Sequence, residues 1–248
     1  MSELSLERLN QTASERIRPF LQEILGKYTD NIDSIQITGK AITDDYDPKM
    51  SDVNSIFVLK EMDLKFLEFL APMGKKYGKH KVAAPLIMTP DYISTSLDVF
   101  TVEFMNFKLI HETVFGDDIL RDIEINMADL RHQCERELKV KLIWLRQGYI
   151  SSAGNRKTLT EGFVNSISGY IPLFRGIIRL LGTDPPIKQG DVISALSEAA
   201  GLDTGAFARV LREKHQKGRL SIDELNTIFE DYYTATEKLG RIIDEIKV

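Results

Sequence analysis

The chain has 248 residues, of which 43% are hydrophobic and 28% are charged, and its formal net charge is −5. These proportions are typical of a folded globular protein and exclude an intrinsically disordered one. The negative charge argues against a nucleic-acid-binding surface spread over the whole molecule, so we expect no strong nucleic-acid partner. Cys134 is the only cysteine, which excludes a disulfide framework and suits a reducing cytoplasm.

The hydropathy pattern indicates no membrane association. No apolar run approaches the roughly 20 residues that a membrane-spanning helix requires. The N-terminal stretch is charged and amphipathic and has no apolar core of the kind found in signal peptides. We therefore expect a cytoplasmic protein.

The first half of the chain alternates between strand and helix patterns. Apolar residues at three- and four-residue steps predict a helix over residues 6–25, which Pro19 would kink. Short alternating or apolar runs predict strands at residues 34–38, 55–59, 84–88 and 100–107. A helix is expected over residues 63–77, and Thr89-Pro90-Asp91 is typical of the start of another.

The second half shows helical periodicity alone. Helices are predicted at residues 123–149, 158–181, 189–200, 204–215 and 222–246, and the double proline 185–186 separates two of them. Strands interleaved with helices, followed by helices only, predict an α/β domain at residues 1–116 and a helical domain at residues 117–248. The side chains expected in the helical core are Cys134, Leu142, Trp144, Leu145 and Tyr149.

One segment carries a pattern with chemical meaning. The strand at residues 34–38 ends at Gly39-Lys40, a polar loop follows, and the next strand opens with Ser51-Asp52-Val53-Asn54. Residues two apart on a strand point to the same face, so Asp52 and Asn54 can reach one metal ion together. Mg²⁺ prefers such oxygen ligands, usually one or two carboxylates plus substrate phosphates.

This arrangement resembles the nucleotidyltransferase superfamily, in which Gly-Ser precedes an Asp-x-Asp pair on the next strand. In that family a third carboxylate lies on a later strand. The resemblance runs from Ser34 to about Leu120 and includes the turn at Phe115-Gly116. It implies an α+β fold, in which a small mixed sheet with flanking helices is followed by an all-helical bundle. It also implies that the glycine turn approaches nucleotide phosphates and that the carboxylates hold Mg²⁺.

The resemblance assigns roles to individual positions. Asp52 and Glu103 are its candidate catalytic residues. The candidate phosphate-binding residues are Gly39, Lys40 and Ser51. The candidate Mg²⁺ ligands are Asp52, Asn54, Asp98 and Glu103. Glu103 is preferred over Asp98 as the third carboxylate because it lies within the apolar pattern of the predicted fourth strand.

The sequence departs from the family pattern at two positions. Lys40 stands where the family usually has serine, and Asn54 stands where the second aspartate belongs. Asparagine offers a neutral oxygen, so the loss of one negative charge should weaken metal binding. Lys40 can neutralise phosphate directly as a point charge. Two other readings stay open: Asp52 as a turn residue, and Glu103 paired with a lysine or facing solvent.

Three hypotheses follow. The first is an enzyme that transfers a nucleoside monophosphate from a nucleoside triphosphate to a hydroxyl acceptor with Mg²⁺, with activity impaired by the two departures. The second is a non-catalytic nucleotide-binding or nucleotide-sensing protein. The third is an interaction scaffold in which helices such as residues 222–246 pair with a partner or form a homo-oligomer.

Overall fold

The computed structural model describes residues 4–216 and 220–248. The chain divides into two compact units. The first contains Met1–Leu97 and Phe104–Glu124, and the second contains Asp98–Glu103 and Ile125–Val248. The domain boundary predicted between residues 116 and 117 lies within the second segment of the first unit, and it stays a prediction.

Helices and strands alternate through the first half of the chain. In chain order they are α1 (Gln11–Tyr28), β1 (Ile32–Thr38), β2 (Asn54–Leu59), α2 (Leu64–Gly78), β3 (Leu86–Met88), α3 (Pro90–Ser96), α4 (Thr101–Leu109) and β4 (His111–Gly116). Side-chain caps begin several helices, since Asn10 accepts the Thr12 N–H of α1 and Thr89 accepts the Tyr92 N–H of α3. The predictions for β1, β2 and β3, and for helix α2 between β2 and β3, are confirmed.

The strands form a mixed four-stranded sheet in the order β3-β2-β1-β4. β1 is antiparallel to both β2 and β4, whereas β2 is parallel to β3. Ile35, Ile37 and Phe57 of the sheet belong to one buried cluster with Ile17 of α1 and Phe66 of α2. Burial of this apolar surface is the main force holding helices and sheet together. The expected α+β fold class is confirmed.

The predicted fourth strand is wrong. Residues 101–109 form helix α4, and the fourth strand lies further along the chain at His111–Gly116. Burial explains the error, because Thr101, Val102, Phe104 and Met105 are buried. Buried residues at steps of three and four belong to one face of a helix. Over so short a run, this pattern is easily mistaken for the alternation of a strand.

The second half contains helices only, within its described residues. They are α5 (Met127–Ser152), α6 (Arg156–Ser166), α7 (Tyr170–Leu180), α8 (Gln189–Ala200), α9 (Gly205–Gln216) and α10 (Ile222–Glu245). The single helix predicted at residues 158–181 is two helices, separated by a 3-10 turn at Ile167–Gly169. The core of the second unit is aromatic. The rings of Tyr170 and Phe207 contact each other, and each also contacts the rings of Phe174 and Tyr232.

Helix α5 is buried along its first half and exposed along its second. Cys134 is fully buried beside Gly176 of α7, where a Cβ would lie 2.9 Å from the cysteine Sγ. Burial raises the pKa of the Cys134 thiol, so it is inert packing material as expected. Trp144 is 64% exposed and Tyr149 is 38% exposed, so their predicted places in the core are wrong. None of the described helices has the length and apolar character to cross a membrane.

Candidate functional site at one end of the sheet

Three strands bring polar side chains to one end of the sheet. Asn54 at the start of β2 pairs with Thr38 at the end of β1, and Thr38 pairs with His111 at the start of β4. Directly paired residues project to the same face of a sheet. The end of β1 therefore lies between an amide and an imidazole on this face.

The glycine turn lies directly against Asn54. Gly39 has a φ of +73°, a conformation that residues with a Cβ adopt only at a cost. A Cβ on Gly39 would lie 3.8 Å from the Asn54 Nδ2. The Gly39 N–H donates to the Ile110 carbonyl at 3.2 Å, which fixes the turn against the segment before β4. Lys40 follows in the turn and is half-buried.

Asp52 and Asn54 are both exposed, on either side of the buried Val53. This alternation places the carboxylate and the amide on the same side of the chain. Val53 is fixed by its N–H, which donates to the Lys81 carbonyl at 2.7 Å. The Lys81 ammonium lies 3.8 Å from the Asp52 carboxylate, and both side chains are about half exposed. Asp52 therefore forms an ion pair with Lys81, which the sequence pattern did not predict.

Ser51 organises the loop that precedes β2. It is buried, its N–H donates to the Asp47 carbonyl at 2.7 Å, and its Oγ accepts the Asp47 N–H at 3.2 Å. These bonds close the turn from Asp47 to Ser51 and set the direction in which Asp52 leaves it. A direct phosphate contact by Ser51 stays a prediction.

The first unit does not contain the two acids predicted to complete the metal site. Asp98 and Glu103 belong to the second unit. Glu103 lies on helix α4, not on a strand, and accepts a hydrogen bond from the Gln133 Nε2 at 2.7 Å. Asp98 is exposed in the turn before α4, where its carbonyl accepts the Thr101 hydroxyl at 3.2 Å. The strand placement that favoured Glu103 is therefore wrong, and the metal roles of both acids stay predictions.

The carboxylates near the glycine turn do not form a closed cage. Across the described part of the chain, no group of three or more His, Cys, Asp or Glu side chains is arranged to hold a metal ion. In the first unit the exposed side chains of Asp52 and Asn54 lie on the same side of the chain, where they offer one carboxylate and one amide oxygen. This set fits a Mg²⁺ ion that takes most of its ligands from phosphates and water, which is the usual manner of Mg²⁺ in nucleotide sites.

A histidine–aspartate pair next to Thr38 was missed by the sequence analysis. The His111 Nε2 lies 2.8 Å from the Asp118 Oδ1, and its Nδ1 lies 2.8 Å from the Phe107 carbonyl. Burial alone would raise the pKa of Asp118, but the hydrogen bond and charge of His111 outweigh it and lower that pKa. The two ring nitrogens of His111 therefore lie between the Asp118 carboxylate and the Phe107 carbonyl, which hold the imidazole in place. No sequence motif marks this pair, whose members lie seven residues apart, at the start of the short strand β4 and just after its end.

Asp118→Asn is expected to destabilise the protein at neutral pH by about 1–2 kcal/mol, because a charge-assisted hydrogen bond is lost. A lowered carboxyl pKa stabilises the fold above the ordinary value near pH ~4 and ceases to do so as pH falls below it. The difference in unfolding free energy between wild type and variant should therefore shrink below about pH 4. Urea unfolding at several pH values measures this. Glu112→Gln is the control, because its partner Arg8 is exposed and 3.6 Å away; an equal pH dependence there would contradict the prediction.

The architecture is a mixed four-stranded sheet with a glycine turn at one end, followed by helices. The structure is similar to that of spectinomycin adenyltransferase AAD(9) from Enterococcus faecialis, solved with ATP and spectinomycin. The two superpose with a TM-score of 0.57 over 93% of this chain and 99% of the other, at 13% sequence identity. At that identity the likeness shows a shared fold. No family model and no curated protein sequence matches the chain.

Proposed function

We propose that the chain binds a nucleoside triphosphate at the glycine-turn end of the sheet and transfers its nucleoside monophosphate to a hydroxyl acceptor. The observation that carries this proposal is the position of the Gly39 turn, which has a φ of +73° and lies beside the exposed Asn54 at the start of β2. It is supported by the fold shared with an adenyltransferase whose structure holds ATP.

Each residue of the turn has a physical role in this proposal. Gly39 keeps side-chain bulk away from the phosphates, and the Lys40 ammonium neutralises them as a point charge. Asp52 and Asn54 would hold Mg²⁺ together with phosphate oxygens, and the ion would neutralise charge that develops on the triphosphate. The Lys81 ammonium beside Asp52 must yield its position to the ion or turn toward phosphate.

The reaction is an in-line displacement at phosphorus. The acceptor oxygen forms a bond to the α-phosphorus, the bond from that phosphorus to the bridging oxygen breaks, and pyrophosphate leaves. The hydroxyl proton passes to solvent. Positioning and electrostatics supply most of the catalysis in such transfers, so few protein groups are needed.

Thermal unfolding with each nucleoside triphosphate, with Mg²⁺ and again with EDTA, tests this proposal. Ligand at about a hundred times its dissociation constant adds roughly 2.7 kcal/mol of stability. For a chain of this size the midpoint should rise by about 5–10 °C. A rise that requires Mg²⁺, together with pyrophosphate release, is the expected result. No rise with any nucleotide would contradict the proposal.

A second candidate is a nucleotide binder that performs no transfer. Two observations favour it: Asn54 supplies no charge, and the Lys81 ammonium lies 3.8 Å from the Asp52 carboxylate, where a metal ion would bind. A nucleotide-induced rise that survives EDTA would support this candidate. The variant Asn54→Asp then distinguishes the two, because a restored carboxylate should make binding depend on Mg²⁺ only if the geometry of a metal site is retained.

A further inference from the structure

A pocket of about 530 Å³ lies within the second unit, here called the helical unit. Its lining residues come from α5, α6, the turn before α7, the start of α7, and α10. Its volume is within the range of small-molecule sites. Its walls include the rings of Trp144, Tyr149, Phe163 and Phe229. Tyr149 and Phe229 stack with ring centroids 4.3 Å apart.

A lysine provides the cation of this pocket. The Lys141 ammonium lies 4.6 Å from the centroid of the Tyr170 ring, which is itself buried. Desolvation lowers the pKa of Lys141, although the charge of Glu137 acts in the opposite direction. Glu137 is itself paired with Arg136 at 3.1 Å, and no described carboxylate forms an ion pair with Lys141. A desolvated ammonium against a ring face attracts an anion strongly.

Three glycines line the pocket. Gly148 lies inside α5 and Gly162 inside α6, and both line the pocket. A glycine in a helix interior costs about 0.5–1 kcal/mol relative to alanine. A Cβ at either position would meet no described atom within 4 Å, so packing does not require these glycines. A third lining glycine, Gly169, leaves room for the ammonium, since a Cβ there would lie 3.2 Å from the Lys141 Nζ.

We propose that this pocket binds a small amphiphilic anion, an aromatic body carrying one carboxylate. The rings accept the apolar body, and the Lys141 ammonium pairs with the carboxylate. The two exposed helix glycines leave space along the pocket wall that such a ligand can occupy. This binding is independent of the nucleotide site proposed above.

Trp144 makes the test direct, because it is the only tryptophan of the chain and lies in the pocket wall. The full chain is titrated with 4-phenylbutyrate and with its uncharged analogue 4-phenyl-1-butanol, and binding is followed by tryptophan emission and by calorimetry. The carboxylate should bind at least about tenfold more tightly than the alcohol, as a charge-assisted contact predicts. Lys141→Met should remove this preference and leave binding of the alcohol unchanged.

Paired glycine variants separate pocket filling from helix stabilisation. Gly162→Ala and Gly240→Ala should each raise the unfolding midpoint by about 1–4 °C, since neither Cβ meets a described atom. Gly162→Leu should weaken 4-phenylbutyrate binding at least tenfold, whereas Gly240→Leu, on α10 outside the pocket lining, should not. Equal binding of acid and alcohol, or no binding of either, would overturn the proposal. So would a stable dimer that Trp144→Ala dissociates, because a second copy would then cover the pocket.

Discussion

Gly116→Ala is expected to destabilise the first unit by roughly 3–6 kcal/mol, enough to unfold many natural domains. Gly116 ends β4 with a φ of +75° and pairs with Ser34 of β1. A Cβ at this position would lie 2.0 Å from the Asp33 carbonyl oxygen and 2.8 Å from the Ser34 Cα. Both are backbone atoms of the neighbouring strand, so neither can move aside without breaking the β1–β4 pairing.

Gly154→Ala is the matched control for that variant. Gly154 has the same φ of +75°, but a Cβ there meets no described atom within 4 Å. It should cost only the conformational strain of about 1–2 kcal/mol. Denaturant unfolding of both variants measures the difference. If the two lose equal stability, the close approach of β4 to β1 does not require Gly116.

Asp52→Asn is expected to reduce pyrophosphate release by about a hundredfold or more, the scale on which loss of one preorganised electrostatic group affects catalysis. Asp52 is the one carboxylate that the sequence pattern places beside Asn54, and its exposed side chain lies on the same side of the chain. After this substitution, two neutral amides would face the triphosphate, and neither attracts a divalent ion by charge. The measurement is the rate of pyrophosphate release with the nucleotide that stabilises the protein most.

Asp44→Asn makes the same chemical change in the loop that leads to Asp52. Asp44 is exposed, so this variant should retain the wild-type rate and unfolding midpoint. A rate for Asp52→Asn equal to that of Asp44→Asn would remove Asp52 from the site. Loss of transfer with retained nucleotide binding would instead separate the chemistry from the binding function. Shared fold alone cannot make that distinction, because function depends on the site.

The sequence predicted the first two strands well, from an alternating run for β1 and a continuous apolar run for β2. β1 and β2 follow from runs in which Ile35, Ile37 and Phe57 face one core, and turn residues mark their ends. The fourth strand was misplaced because the apolar residues between 100 and 107 fit both the two-residue period of a strand and the 3.6-residue period of a helix. The choice of helix there depends on buried neighbours such as Gln133, whose Oε1 accepts the Val102 N–H at 2.7 Å. No local pattern contains a partner 31 residues away.

The candidate site shows the same division. The Gly39 turn and the Asp52–Asn54 spacing could be predicted from the chain, because they depend on residues close in sequence. The ion pair of Asp52 with Lys81 could not, since the pairing of Val53 with Val82 brings these side chains together. The contact of His111 with Asp118 depends on how the chain turns after β4, which no motif in the sequence marks. The helical unit was predicted as a set of helices, but the pocket around Lys141 was not. Trp144 was expected in the core on its hydrophobicity alone.

Local physical chemistry in this chain is sufficient for the fold class, most elements and the residues of the glycine turn, because periodicity, caps and turns act over a few residues. Which side chains meet is a different matter. The partners of Asp52, the place of Glu103 on a helix and the open space beside Gly148 and Gly162 all arise from packing between segments distant in sequence. Packing depends on the shape of all neighbours at once, and no short stretch of sequence encodes it.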